Sequence, residues 1–105
     1  MDLKQLQQKA SRVFINNLKK DNINLTEDYL ILKLTEELGE FVQSYLIHKK
    51  MSRSVKFVSK RESKKELAKE LSDVLGLVLV IAKTINVDLE KSLVKKWITQ
   101  EWLKK

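Results

Sequence analysis

Cysteine is absent from this chain of 105 residues, which excludes disulfides and thiolate metal sites and agrees with a cytoplasmic setting. Proline is absent too, and there are only two glycines, Gly39 and Gly76. That composition resists a turn-rich β fold and suits long helices. The one histidine, His48, does not by itself make a zinc site. Long apolar runs are missing as well. The longest, Val74 to Ala82, has nine residues with Gly76 inside it, against the roughly 20 needed to span a bilayer. It reads as a helix buried on most sides, in a bundle or at a subunit interface, and no membrane partner is expected. Residues 1–12 are polar and amphipathic, without the pattern of a signal peptide.

What is present is a chain that is 43% hydrophobic and 33% charged, enough for one domain with a core. A single all-α domain over residues 1–105, of the four-helix-bundle type, is the expected architecture. The net charge of +7 is local. Lys49 to Lys69 holds nine Lys or Arg against two Glu, and the rest of the chain balances twelve against twelve. Such a segment attracts polyanions such as a triphosphate, a nucleic acid or an acidic surface, or is simply a solvated lysine-rich loop.

Apolar residues at spacings of three and four place four helices. The first runs from about Asp2 to Lys20, with Leu3, Leu6, Ala10, Val13, Phe14 and Leu18 on one stripe. The second runs from Glu27, after Thr26 as a candidate N-cap, to about Lys50, with Leu30, Leu34, Leu38, Phe41, Tyr45 and Leu46. Residues 51–62 break the pattern, and Val55 to Val58 reads as extended or as a cover over a site. Ser63-Lys64-Lys65-Glu66 is a capping-box pattern that starts a third helix, which ends near Ile85. Asp88 caps a fourth helix to about Leu103, carrying Leu89, Leu93, Val94, Trp97, Ile98 and Trp102. Helices two and three are long and joined by a moderate loop, which favours antiparallel pairing.

Two acidic motifs stand inside these apolar patterns. Glu36-Glu37-Leu38-Gly39-Glu40 puts Glu37 and Glu40 on one face of the second helix, and Glu70-Leu71-Ser72-Asp73 does the same on the third. One such pair is usually a solvated surface feature. These acids, however, lie beside apolar residues that face a core, where carboxylates are costly unless paired or metal-bound. Antiparallel packing can bring the two motifs level, though a shift of one turn would part them, and four converging carboxylates would call for a hard cation, Mg²⁺ or Mn²⁺, which commonly serves phosphate chemistry. The glycines inside or one turn past the motifs suit close helix packing, or room for a ligand.

The string Lys33-x-x-Glu36-Glu37-x-x-Glu40 followed by Glu70-x-x-Asp73 resembles the all-α nucleotide pyrophosphohydrolases of the MazG type, whose signature is EExxE, a variable spacer and ExxD. Glu37-Leu-Gly-Glu40, Glu70-Leu-Ser-Asp73-Val-Leu and Ile85-Asn-Val-Asp-Leu-Glu-Lys91 extend the likeness, which covers roughly residues 27–100. The resemblance implies a helical bundle that forms a homodimer or homotetramer. It implies Mg²⁺-dependent hydrolysis of a nucleoside triphosphate to the monophosphate and pyrophosphate, with Mn²⁺ as a substitute ion. By the same likeness Glu37, Glu40, Glu70 and Asp73 are the metal ligands, Glu36 and Glu37 the catalytic carboxylates, and Glu36 the group that positions water. Lys33 would contact phosphate, with Arg53, Lys56, Lys60, Arg61 and Lys96 as further substrate-binding candidates. Trp97, Phe57 and Tyr45 are candidates to stack on the base, or core aromatics on amphipathic helices.

Other classes compete. A nucleic-acid-binding helical protein would use the basic segment and need no metal. No DNA-reading motif appears, and this reading of the charge places it in a loop rather than along a helix, which disfavours nucleic acid as a partner. A structural oligomer without catalysis would tolerate Gln at the acidic positions. Within the enzyme class, a phosphoribosyl-ATP pyrophosphohydrolase relative is the alternative.

Overall fold

A computed structural model describes residues 1–99. The predicted C-terminal end of the fourth helix, with Trp102 and Leu103, lies outside the described residues. Four α-helices follow one another: α1 Leu3–Lys20, α2 Glu27–His48, α3 Lys60–Thr84 and α4 Leu89–Leu93. A 3₁₀ turn, Ser54–Lys56, lies between α2 and α3, and a π turn, Val94–Ile98, continues from α4. Among the described residues there is no strand, and no helix is long and apolar enough to cross a membrane.

Local chemistry accounts for most of the helix ends. Asp2 accepts the Gln5 N–H at 2.8 Å, and the Gln5 side chain accepts the Asp2 N–H at 2.9 Å. This reciprocal box satisfies two backbone donors at the start of α1. Asp88 Oδ1 accepts the Lys91 N–H at 3.0 Å and starts α4. The chain leaves α1 through Asn22 and α3 through Asn86, both with positive φ, 55° and 60°. Asparagine enters that region at less cost than most residues.

α3 begins at Lys60, three residues before the expected Ser63. Ser59 makes the start instead: its Oγ accepts the Glu62 N–H at 3.1 Å, and its carbonyl accepts the Ser63 N–H at 2.9 Å. Ser59-Lys60-Arg61-Glu62 is also a Ser-x-x-Glu sequence, so local pattern alone does not choose between the two serines. Residues 54–56 form a 3₁₀ turn, not a strand, and Val55 is 84% exposed.

The chain forms two compact units, one of residues 1–27 with 79 onward, the other Asp28–Val78. In the first, Leu18, Leu79, Val80 and Ala82 are buried, and the Gln7 amide donates to the Leu79 carbonyl at 3.2 Å. That bond holds α1 against the end of α3. In the second, Leu30 and Leu77 are the buried apolar residues, joined by the buried Ser44 and Ser63. The Val74 to Ala82 run is buried at Leu77, Leu79, Val80 and Ala82, as its sequence leads one to expect, although Leu75 is exposed.

Within the second unit α2 and α3 run antiparallel. His48 at the end of α2 meets Ser63 near the start of α3, Nδ1 to Oγ, at 2.7 Å. The Ser63 hydroxyl donates to the Lys60 carbonyl at 3.0 Å, so its proton is used and His48 donates from Nδ1. Midway along the pair, Glu37 lies level with Glu70 and Asp73. Moving back along α2 means moving forward along α3.

Candidate metal centre

The register set at His48 and Ser63 decides what the acids do. Eleven residues back from His48 is Glu37, and seven and ten residues on from Ser63 are Glu70 and Asp73. At 1.5 Å per residue these shifts agree, at about 16 Å on α2 and about 10–15 Å on α3. Carboxylate oxygens of Glu37, Glu70 and Asp73 lie within 4.8 Å of one another. Glu36, Glu37 and Glu40 form a second group within the same limit. Glu37 belongs to both, and so joins the motif of α2 to that of α3.

The electrostatics of the cluster are unfavourable as it stands. Burial is the first reason that the Glu37 carboxyl is held above its usual range; its hydrogen bond with Glu40 and the charges of Glu40 and Asp73 push it further. The Glu70 carboxyl is also raised, again first by burial and then by Glu40 and Asp73. Desolvation and like charge both penalise the ionised form. Glu37 Oε2 and Glu70 Oε2 are buried and have no hydrogen-bond partner among the described residues. A buried carboxylate oxygen with no donor is the feature a cation relieves, and the all-oxygen donor set suits a hard divalent ion. The residues fit Mg²⁺ or Mn²⁺ on these grounds.

Lys33 lies one turn before the cluster. Its ammonium pairs with Glu36 at 3.0 Å, and that bond is the first cause of a Lys33 pKa above the usual lysine value, with the charge of Glu37 adding to it. Two of the predicted roles, Lys33 for phosphate and Glu36 for water, thus belong to residues that hold one another at the edge of the acids.

The other basic candidates of this unit stand apart from the acids along the chain. Arg53 flanks the 3₁₀ turn and Lys56 ends it; both are exposed. Lys60 and Arg61 stand in the first turn of α3, about 13–15 Å along the axis before Glu70. Lys96 lies on the π turn of the other unit. Among the aromatics, Trp97 is 64% exposed on that π turn, Tyr45 is exposed on α2 and Phe57 is half-buried. Gly39 and Gly76 do not serve close packing within this chain: a Cβ on either would meet no atom within 4 Å.

What the motif reading missed is the tie that sets the register. His48 and Ser63 carry no acidic or metal-binding signature, and only their places at facing helix ends hint at the bond. No protein-family model matches the chain, and no curated protein or solved structure matches it.

Proposed function

We propose that this chain is a Mg²⁺-dependent nucleoside triphosphate pyrophosphohydrolase of the MazG type. The observation that carries the proposal is the meeting of Glu37, Glu70 and Asp73 oxygens from two helices within 4.8 Å, with one buried, unpartnered oxygen on each glutamate. Glu40 completes the set through Glu37. Glu37, Glu70 and Asp73, with Glu40 beside Glu37, would hold the ion. Bound Mg²⁺ supplies positive charge against the phosphate oxygens and the leaving pyrophosphate.

The chain's own groups do the rest. Glu36 orients the attacking water and takes its proton. Lys33, held one turn away by Glu36, offers its ammonium to the triphosphate, and on binding exchanges a carboxylate partner for phosphate oxygens.

Assembly as a homodimer or homotetramer is part of the same proposal. Leu38, Val42 and Tyr45 on α2 and Leu71 and Leu75 on α3 are all exposed, an apolar area that a second subunit covers in this reading. A cytoplasmic location, where nucleoside triphosphates are made and used, goes with it.

The test is pyrophosphate release from a panel of standard and modified nucleoside triphosphates, with and without Mg²⁺, for the wild type and Glu40→Gln. Metal-dependent release that the substitution abolishes supports the proposal. Folded protein that releases nothing from any triphosphate, with Mg²⁺ or Mn²⁺ present, refutes it.

A further inference from the structure

The basic segment takes a different form in the fold from the one its sequence suggests. Because α3 starts at Lys60, Lys60 and Arg61 join Lys64, Lys65 and Lys69, so that five of the nine cations lie on this helix. At about 100° per residue, Lys60, Arg61, Lys64 and Lys65 spread over one side of its first two turns, centred about 180° around the helix from Glu70 and Asp73. Glu62 and Glu66 fall on the acidic side with Glu70 and Asp73. Lys69 lies at the border and pairs with Glu66 at 3.5 Å. The helix is therefore divided lengthwise, with acids on one face and four cations on the other.

The four helical cations do not stand alone. The His48–Ser63 bond pins both ends of the connector that carries Lys49, Lys50, Arg53 and Lys56, so these four share one end of the α2–α3 pair with the start of α3. All eight are exposed, and among the described residues none of the eight forms a salt bridge. Exposed like charges at this density repel one another and destabilise the fold unless a polyanion neutralises them. The carboxylate cluster lies about 10–15 Å further along α3 and on its other side, so one compact triphosphate held at the acids does not explain the whole set.

We infer that this end of the α2–α3 pair, with Lys60, Arg61, Lys64 and Lys65 at its centre, binds the phosphate backbone of a nucleic acid without reading its sequence. Lys60 and Lys64 are one turn, about 6 Å, apart on the helix, as are Arg61 and Lys65, and the connector cations lie at the same end of the pair. A flexible phosphodiester chain matches such spacing by sliding, and no base-reading geometry is required. A membrane surface fits less well. A helix that lies in the interface needs a broad apolar face, whereas the side of α3 away from these cations carries Glu62, Glu66, Glu70 and Asp73. The inference does not depend on pyrophosphohydrolase activity, since the two faces are separate.

The test measures binding of a short fluorescent DNA duplex, and of the matching single strand, across a salt series in EDTA, so that metal-dependent chemistry is silent. Four to seven neutralised phosphates predict a log–log salt slope of about −4 to −6 on the duplex, and somewhat less on the single strand. Changing Lys60, Arg61, Lys64 and Lys65 together to Gln reduces that slope by about four. A control removes equal charge from exposed positions of α1, with Lys4, Lys9, Arg12 and Lys19 changed to Gln. Circular dichroism confirms that both variants are folded. Binding lost in the α3 variant and kept in the α1 variant supports the inference. Equal loss in both, a slope near zero, or binding to phosphatidylserine vesicles without binding to either nucleic acid overturns it.

Discussion

Glu70→Gln should make the metal-free protein more stable and deaf to Mg²⁺. In the fold, Glu70 places one carboxylate oxygen in a buried position with no partner, and Glu40 and Asp73 add negative charge beside it. An unsatisfied buried polar group costs about 1–3 kcal/mol, and more when charged. Gln keeps the shape and removes the charge, so recovery of about 1 kcal/mol is reasonable. For a domain of this size that raises the melting temperature by about 4–8 °C. The wild type gains instead from the ion. At Mg²⁺ ten times its dissociation constant the gain is about 1.4 kcal/mol, or about 6–11 °C. Thermal melts followed by circular dichroism, in EDTA and in Mg²⁺ at matched ionic strength near neutral pH, should therefore cross. The variant leads without metal, and the wild type leads with it. A wild type unmoved by Mg²⁺ and Mn²⁺, with a variant less stable in EDTA, would show that the carboxylates are satisfied in a way the cluster geometry does not provide. The metal-centre reasoning would then fail.

Acidity gives a second handle on the same groups. Glu37 and Glu70 both titrate above the ordinary glutamate value in the folded state, so the folded protein holds protons that the unfolded chain has lost. Their contribution to stability is complete below the ordinary value and is lost as pH rises through the raised ones. The metal-free wild type should therefore lose more stability than Glu70→Gln between about pH 5 and neutrality, read as a difference of urea midpoints, and Mg²⁺ should shrink that difference. Gly76→Ala should stabilise by about 1 kcal/mol, because Ala suits a helix interior better than Gly and its Cβ meets no atom within 4 Å. A loss of stability that grows with protein concentration would instead place a second subunit against Gly76. Leu30→Ala should cost about 2–5 kcal/mol in urea unfolding, since Leu30 is 1% exposed at the centre of its unit. A cost well under about 1 kcal/mol would mean that the unit does not rely on this core.

The local code of the chain accounts for much of the fold. Repeats of three and four, with no proline to interrupt them, are enough to place α1 and α2 within about two residues. Asp2 and Asp88 cap helices because a short acidic side chain reaches the free N–H groups of the first turn, which is a matter of neighbours in sequence. The candidate ligands were legible for the same reason: spacing of three sets each acidic pair on one face.

Tertiary structure decided the rest. Ser59 and Ser63 both head a Ser-x-x-Glu string, and the chain starts α3 at Lys60 because Ser63 is buried and engaged by His48 from the other helix. That choice moves Lys60 and Arg61 from the loop onto the helix, beside Lys64 and Lys65. It also sets the register in which Glu37 meets Glu70 and Asp73, a match that depends on how far one helix slides along the other. Burial was the least legible quantity. Leu38 and Tyr45 obey the apolar period of α2 and yet lie exposed, since a helix sequence marks which side is apolar but not how much of that side its own chain covers.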